Sequence, residues 1–346
     1  MTIRGHSQTP GPLGLPRGGD GGRVPGPAGT FWDGGRVPDP AGTWWDDGGW
    51  APQPIGTLWD QQSNPPASGA ATKAVKKTTM PAPTKEAANG DPDRDVHVFL
   101  LPLFNSKDNA PAFAEVKQAP GIANCPVASM LAALAFTPDG RKIIHSIVPP
   151  ETSGDVVTDL SAAGSLANPP GATLKSSRYF TVKLQGGAVE VSDVLYTDNH
   201  DHGWSPFYMS DPGGDTIWAA VIEKALAVKL KGYDNLDDSN IHAEDFWEMV
   251  TGVKPGIIDI KPGTPLSVIT QAVTASTRVP STAASIGEPG NDIPLKGGGV
   301  VTAYHGFAVL GFQGDKIRLY DPAEAKTLLI SPAEFRDDFK AILFRQ

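Results

Sequence analysis

Among 346 residues there is a single cysteine, Cys125. That excludes any intramolecular disulfide, and with it the disulfide-stapled secreted modules. Clusters of basic residues are also missing. With a formal net charge of -9 and no Lys/Arg-rich run, the chain is not expected to bind nucleic acid. No stretch approaches the ~20 apolar residues of a membrane-spanning helix, so no membrane partner is expected. Met1 to Gly14 holds no apolar run. A Sec-type leader is therefore not expected, and the expected location is cytoplasmic, with non-classical export still open. The length allows two domains, or one large domain with an appendage.

Composition changes sharply near residue 95. Residues 1–60 are rich in Gly, Pro and Trp and carry a short repeat. The stretch Gly21 to Asp33, ending Thr30-Phe31-Trp32-Asp33, is followed by Gly34 to Asp46, ending Thr43-Trp44-Trp45-Asp46. A looser third copy ends Thr57-Leu58-Trp59-Asp60. The spacing is too short and the Gly/Pro content too high for a solenoid unit with its own core, so a disordered tail is expected. Its aromatic pairs read either as motifs that dock in a protein partner or as a low-complexity stretch expanded by duplication. Residues 61–95 read as a disordered linker.

From Asp95 the texture becomes globular. Val96 to Leu101 reads as a strand. The Cys125 segment, apolar around its circumference as far as Phe136, reads as a centrally buried helix. Phe180, Val182 and Leu184 alternate up to a Gly186-Gly187 turn, and Val189 and Val191 continue the hairpin. Asp215-Thr216 reads as the cap of a long helix with Ile217, Trp218, Val221, Ile222, Ala225 and Leu226 on its apolar side. Val300 to Phe312 reads as one strand through His305, and Gly314-Asp315 turns into a returning strand, Lys316 to Tyr320. Ser331-Pro332-Ala333-Glu334 is a capping box. Helices gather in the first half and strands in the second, which predicts an α+β domain with two lobes.

Cys125 opens its helix, and the positive end of a helix dipole favours a thiolate, the reactive form. Pro126 suits the first helical turn, where no amide hydrogen is required. A cysteine so placed is a candidate nucleophile; the plain alternative is a small buried hydrophobe. A nucleophile needs a base, and the base needs an orienting acceptor. Of seven histidines, His6 lies in the tail, and His200 and His202 sit in a polar loop. His97, His145 and His242 have no polar partner nearby in sequence. His305 differs, because the turn at Gly314-Asp315 would return the chain to set Asp321 beside it.

These segments resemble the calpain-type, papain-like cysteine proteases. The Cys125 helix is similar to that family's active-site helix. Trp218-Ala219-Ala220-Val221-Ile222-Glu223-Lys224-Ala225-Leu226-Ala227 resembles its Trp-x-x-Leu-x-Glu-Lys-Ala-Tyr-Ala helix. Gly232-Tyr233 and Thr251-Gly252 are similar to its Gly-Ser-Tyr and Thr-Gly-Gly. His305-Gly306-Phe307-Ala308-Val309 resembles its His-Ala-Tyr-x-Val, and Ile317 to Pro322 its Leu-Arg-Asn-Pro-Trp. Ile330 to Phe335 is similar to its Met-Ser-x-x-Asp-Phe. The resemblance covers residues 96–346. It implies a two-lobed papain-like core and a thiol protease, a hydrolase that cleaves peptide bonds in a protein or peptide substrate. Cys125 would be the nucleophile, His305 the general base and then acid, and Asp321 the orienting group where the family has Asn.

The chain also departs from the family. The family's oxyanion-binding glutamine, six residues before the cysteine, falls on Ala119, with Gln118 one residue earlier as the substitute donor. Pro126 stands where the family has the Trp that follows the cysteine. Ala323 replaces the Trp that shields the His–Asn hydrogen bond, which predicts a wetter Asp321. These substitutions motivate a second reading, a calpain-like domain that has lost catalysis and binds partners through its Trp-rich tail. Acyl transfer to an amine would use the same three residues. No cofactor is required; calcium has one candidate position, the acidic stretch Tyr233 to Asp238, against a solvated turn, and His200 and His202 lack a ligand cluster.

Overall fold

The computed structural model describes residues 75–84, 96–105, 107–120, 122–149, 151–163, 172–198, 205–236, 241–296 and 298–346. All of them belong to the compact unit spanning residues 70–346. The Trp-rich repeats, His6, His200, His202, Asp237 and Asp238 lie outside the described residues.

The described residues form a mixed α and β structure with six helices and several sheets. Its first helix, α1 (Cys125–Phe136), is buried from Val127 through Ala135, as the all-round apolar sequence requires. Burying Met130, Leu131 and Leu134 contributes about 1.5–3 kcal/mol per side chain, which anchors this helix in the core. Thr137 ends it in an extended conformation, as expected before Pro138, and its side chain caps α2 (Pro138–Ile147) by accepting from Gly140 N at 3.1 Å. The two helices meet so closely that a Cβ on Gly140 would stand 2.1 Å from the Leu134 carbonyl oxygen. The other helices are α3 (Trp218–Leu230), α4 (Ala243–Thr251), α5 (Leu266–Ala275) and α6 (Pro332–Asp338).

A six-stranded antiparallel sheet organises the C-terminal part. Its strands run in the order Gly256–Asp259, Phe339–Phe344, Ser281–Ser285, Gly306–Gln313, Lys316–Asp321 and Lys326–Ile330. Strand alternation divides the interior into two cores. Phe307, Val309, Ile317 and Leu319 join one, with Ile269 and Val273 of α5 and Phe335 of α6. Ala308, Leu310 and Tyr320, on the opposite face, join the larger core that contains α1, α3 and α4. The sheet therefore lies between α1 and the pair α5 and α6. This geometry lets one strand end reach the start of α1.

Several sequence expectations change in detail. Helices and strands are not segregated: a four-stranded sheet, Lys76–Thr79, Thr152–Asp159, Thr173–Leu184 and Gly187–Ser192, precedes α3. Its Thr173–Leu184 and Gly187–Ser192 strands form the expected hairpin. Its edge strand Lys76–Thr79 falls in the stretch read as a linker. It pairs in parallel with Thr152–Asp159, and the following Met80 is fully buried. Few apolar residues surround Met80, so local composition hid a strand that long-range pairing creates.

Helix α3 begins at Trp218 rather than after an Asp215-Thr216 cap. The amides of Asp215 and Thr216 instead donate to the Asp211 carboxylate, which holds the loop ahead of the helix. Nor is α3 apolar on one side only: Glu223 and Lys224 are both buried within it. Lys224 Nζ donates to the carbonyls of Ser192 and Val194, and burial pulls its ammonium down to about 7 against the pull of Asp193. The strand expected over Val300 to Phe312 is two strands, Val300–Thr302 and Gly306–Gln313. Between them Tyr304 takes a left-handed φ of 52°, so His305 sits just past a turn, at the head of a strand instead of along one. The Ser331–Glu334 capping box forms as read, with Ser331 Oγ accepting from Glu334 N.

Candidate active site

Cys125 is the first residue of α1 and is half-buried. His305 reaches it from the head of the Gly306–Gln313 strand because Gly306 lets the two backbones touch. A Cβ at Gly306 would lie 2.8 Å from Ser129 Oγ and 3.1 Å from the Cys125 carbonyl oxygen. Ser285, on the neighbouring strand, fixes the His305 backbone. Its Oγ accepts from His305 N at 2.9 Å, and its own N–H donates to the His305 carbonyl at 3.0 Å. The Phe307 ring packs edge-on to the imidazole, with centroids 4.9 Å apart.

Asp321 arrives from the far end of the returning strand, as the Gly314-Asp315 turn predicts. Its Oδ1 accepts from His305 Nε2 at 3.0 Å and from the Ala323 amide at 2.9 Å. Nε2 is thereby committed to the carboxylate, leaving Nδ1 as the nitrogen open to the Cys125 thiol. Asp321 is only 2% exposed, so the wetter environment expected from Ala323 does not arise. The carboxylate is buried at the sheet end and held by the amide of Ala323 itself.

The His305 imidazole is shifted by both of its neighbours. Burial alone would depress its pKa, yet hydrogen bonds to Asp321 and to Cys125, with their charges, raise it from 6.5 to about 9. A protonated ring at neutral pH is the partner a thiolate requires. The arrangement can therefore supply a nucleophile, a proton donor to a leaving group and, once that proton is given up, a base for water.

Gln118 ends the short strand Lys117–Gln118, ahead of α1. Its backbone N–H donates to the Pro322 carbonyl at 2.8 Å, next to Asp321, and its strand pairs with Met209. Its side-chain Nε2 donates to the Ile122 carbonyl, three residues before Cys125. That bond uses one of the two amide hydrogens and leaves the other. Ala119 does not take the family glutamine's place, being a buried apolar residue of the core. The four residues read from the sequence are thus gathered from three separate parts of the chain.

Three further residues shape this site without having been singled out for it. Gly306 and Ser285 act through backbone packing, which no local pattern announces. Glu223 does carry a signal, since a carboxylate in the mainly apolar run Trp218 to Ala227 needs a partner once that run is buried. That partner is Asn124: Asn124 Nδ2 donates to Glu223 Oε1, and both residues are buried. Burial pushes Glu223 up to about 8, against the hydrogen bonds it accepts from Asn124 and the Met209 amide.

Among the described residues no three His, Cys, Asp or Glu side chains gather as a metal site. Tyr233–Leu236, the described part of the calcium candidate, is a short 3-10 turn with Tyr233 and Leu236 buried. No described helix is long and apolar enough to cross a membrane. A scan against protein-family models finds none that matches the chain, and a search of curated proteins finds no match.

Proposed function

We propose that the chain is a cysteine endopeptidase with a two-lobed, papain-like core of the calpain type. The observation that carries this reading is the convergence of Cys125, His305 and Asp321, with an imidazole raised to about 9 between the other two. In the reaction the Cys125 thiolate attacks the scissile carbonyl carbon and the carbonyl oxygen takes the electron pair. Gln118 and the Cys125 backbone N–H are the donors to that oxyanion. As the tetrahedral intermediate collapses, the C–N bond breaks and His305 gives its proton to the departing amine. Water deprotonated by His305 then hydrolyses the thioester and restores the thiolate.

An epoxide or chloromethyl-ketone peptide tests the reading. Labelling of Cys125, abolished in Cys125→Ala and slowed in His305→Ala, is the expected result. Folded protein that stays unlabelled from about pH 5 to 9 would refute it.

A further inference from the structure

Asn is among the residues most favoured at a helix N-cap, where its side chain satisfies first-turn amides. Asn124 occupies that position ahead of Cys125 and makes no side-chain cap bond. It is fully buried and turned inward to Glu223, while its Oδ1 has no hydrogen-bond partner among the described residues. A buried acceptor left unpartnered is costly, and such costs collect where a structure holds a group for another purpose. Glu223 makes a second connection. It accepts from the Met209 amide, and Met209 pairs with Gln118 in antiparallel register. One carboxyl group therefore links the residue before the nucleophile to the strand beside Gln118.

We propose that Glu223 is a positioning residue. It holds the Asn124 side chain, directly before Cys125, and through Met209 the strand that carries Gln118, and so sets the spacing between the Cys125 amide and the Gln118 side chain. These are the two donors of the oxyanion site, so the inference rests on the peptidase reading and deepens it. Being uncharged at neutral pH, Glu223 can do this without adding a negative charge beneath a site that must stabilise one. A neutral isostere that keeps the acceptor oxygen will then replace it.

The test separates attack that forms an oxyanion from attack that does not. With p-nitrophenyl acetate the Cys125 sulfur bonds to the carbonyl carbon, the oxygen takes the electron pair, and collapse breaks the ester C–O bond to release p-nitrophenolate. With iodoacetamide the sulfur displaces iodide at a saturated carbon, and no oxyanion arises. The ratio of the two rates in the full chain reports the oxyanion donors alone. Expected in Glu223→Met is a fall in that ratio of about tenfold or more, with alkylation within about twofold of the parent. Glu223→Gln should keep the ratio. Asn124→Ser, too short to reach Glu223, should lose it, and this variant decides the matter if the methionine variant does not fold. Unchanged ratios in Glu223→Met and Asn124→Ser, or both rates falling together, would overturn the inference. A parent protein with a ratio no higher than that of glutathione would overturn the peptidase reading, and the inference with it.

Discussion

Replacing Asp321 with alanine removes the carboxylate that faces His305 Nε2 and leaves the imidazole buried with only the Cys125 thiol as partner. A hydrogen bond between charged groups contributes about 1.5–3 kcal/mol, and one pH unit corresponds to about 1.36 kcal/mol. His305 should then titrate one to two units below its present value of about 9, near 7 to 8. Asp321→Asn, which keeps an acceptor but not the charge, should fall between the two. The assay is an NMR titration of the ring nitrogens, assigned with His305→Gln, beside the upper limb of the pH profile for casein hydrolysis. Stability should follow the same sign. The folded pKa lies above the unfolded value of 6.5, so His305 adds stability that is complete below pH 6.5 and lost as pH rises through about 9. Two and a half units amount to about 3 kcal/mol in the parent. The destabilisation caused by Asp321→Ala should accordingly be greatest near pH 6 and shrink toward pH 9 and above. An imidazole that titrates near 6.5 in the parent, or stays at about 9 in Asp321→Ala, would refute the reasoning.

Two other substitutions probe the frame of the site. Gly306→Ala drives a Cβ to 2.8 Å from Ser129 Oγ and 3.1 Å from the Cys125 carbonyl, so the strand must back away from α1. Denaturant unfolding should show a loss of about 1–3 kcal/mol, and Cys125 alkylation at neutral pH should slow as His305 is displaced. Gln118→Ala should lower casein turnover about 100- to 1000-fold while iodoacetamide alkylation of Cys125 proceeds at the parent rate. A turnover loss matched by an equal alkylation loss would mean that Gln118 only supports the fold.

Some features were legible because their causes are local. The apolar run after Cys125 can satisfy itself only as a buried helix, and Pro126 and Pro138 mark its first turn and its limit. The Ser331–Glu334 box forms within one turn of chain. The Gly314-Asp315 turn, with Gly314 at a φ of 63°, carries in itself the pairing that brings Asp321 back to His305. The misreadings have different causes, one of them a distant strand partner and two of them local geometry that no periodicity announces. Asp211 takes over the amides ahead of α3, Thr152–Asp159 recruits Lys76–Thr79, and the left-handed Tyr304 interrupts an otherwise continuous strand pattern.

By itself the sequence determined the inventory: one thiol at a helix start, one histidine whose returning strand carries an aspartate, and a single cysteine, which excludes an intramolecular disulfide. Tertiary structure decided the distances, because they depend on contacts between residues far apart in the chain. The approach of Gly306 to Cys125 spans 181 positions, and the approach of Glu223 to Asn124 spans 99. Hydrophobic periodicity is blind to both. A backbone can come that close to a helix end only where a side chain is missing, and a carboxyl group can stay buried only where amides are aimed at it.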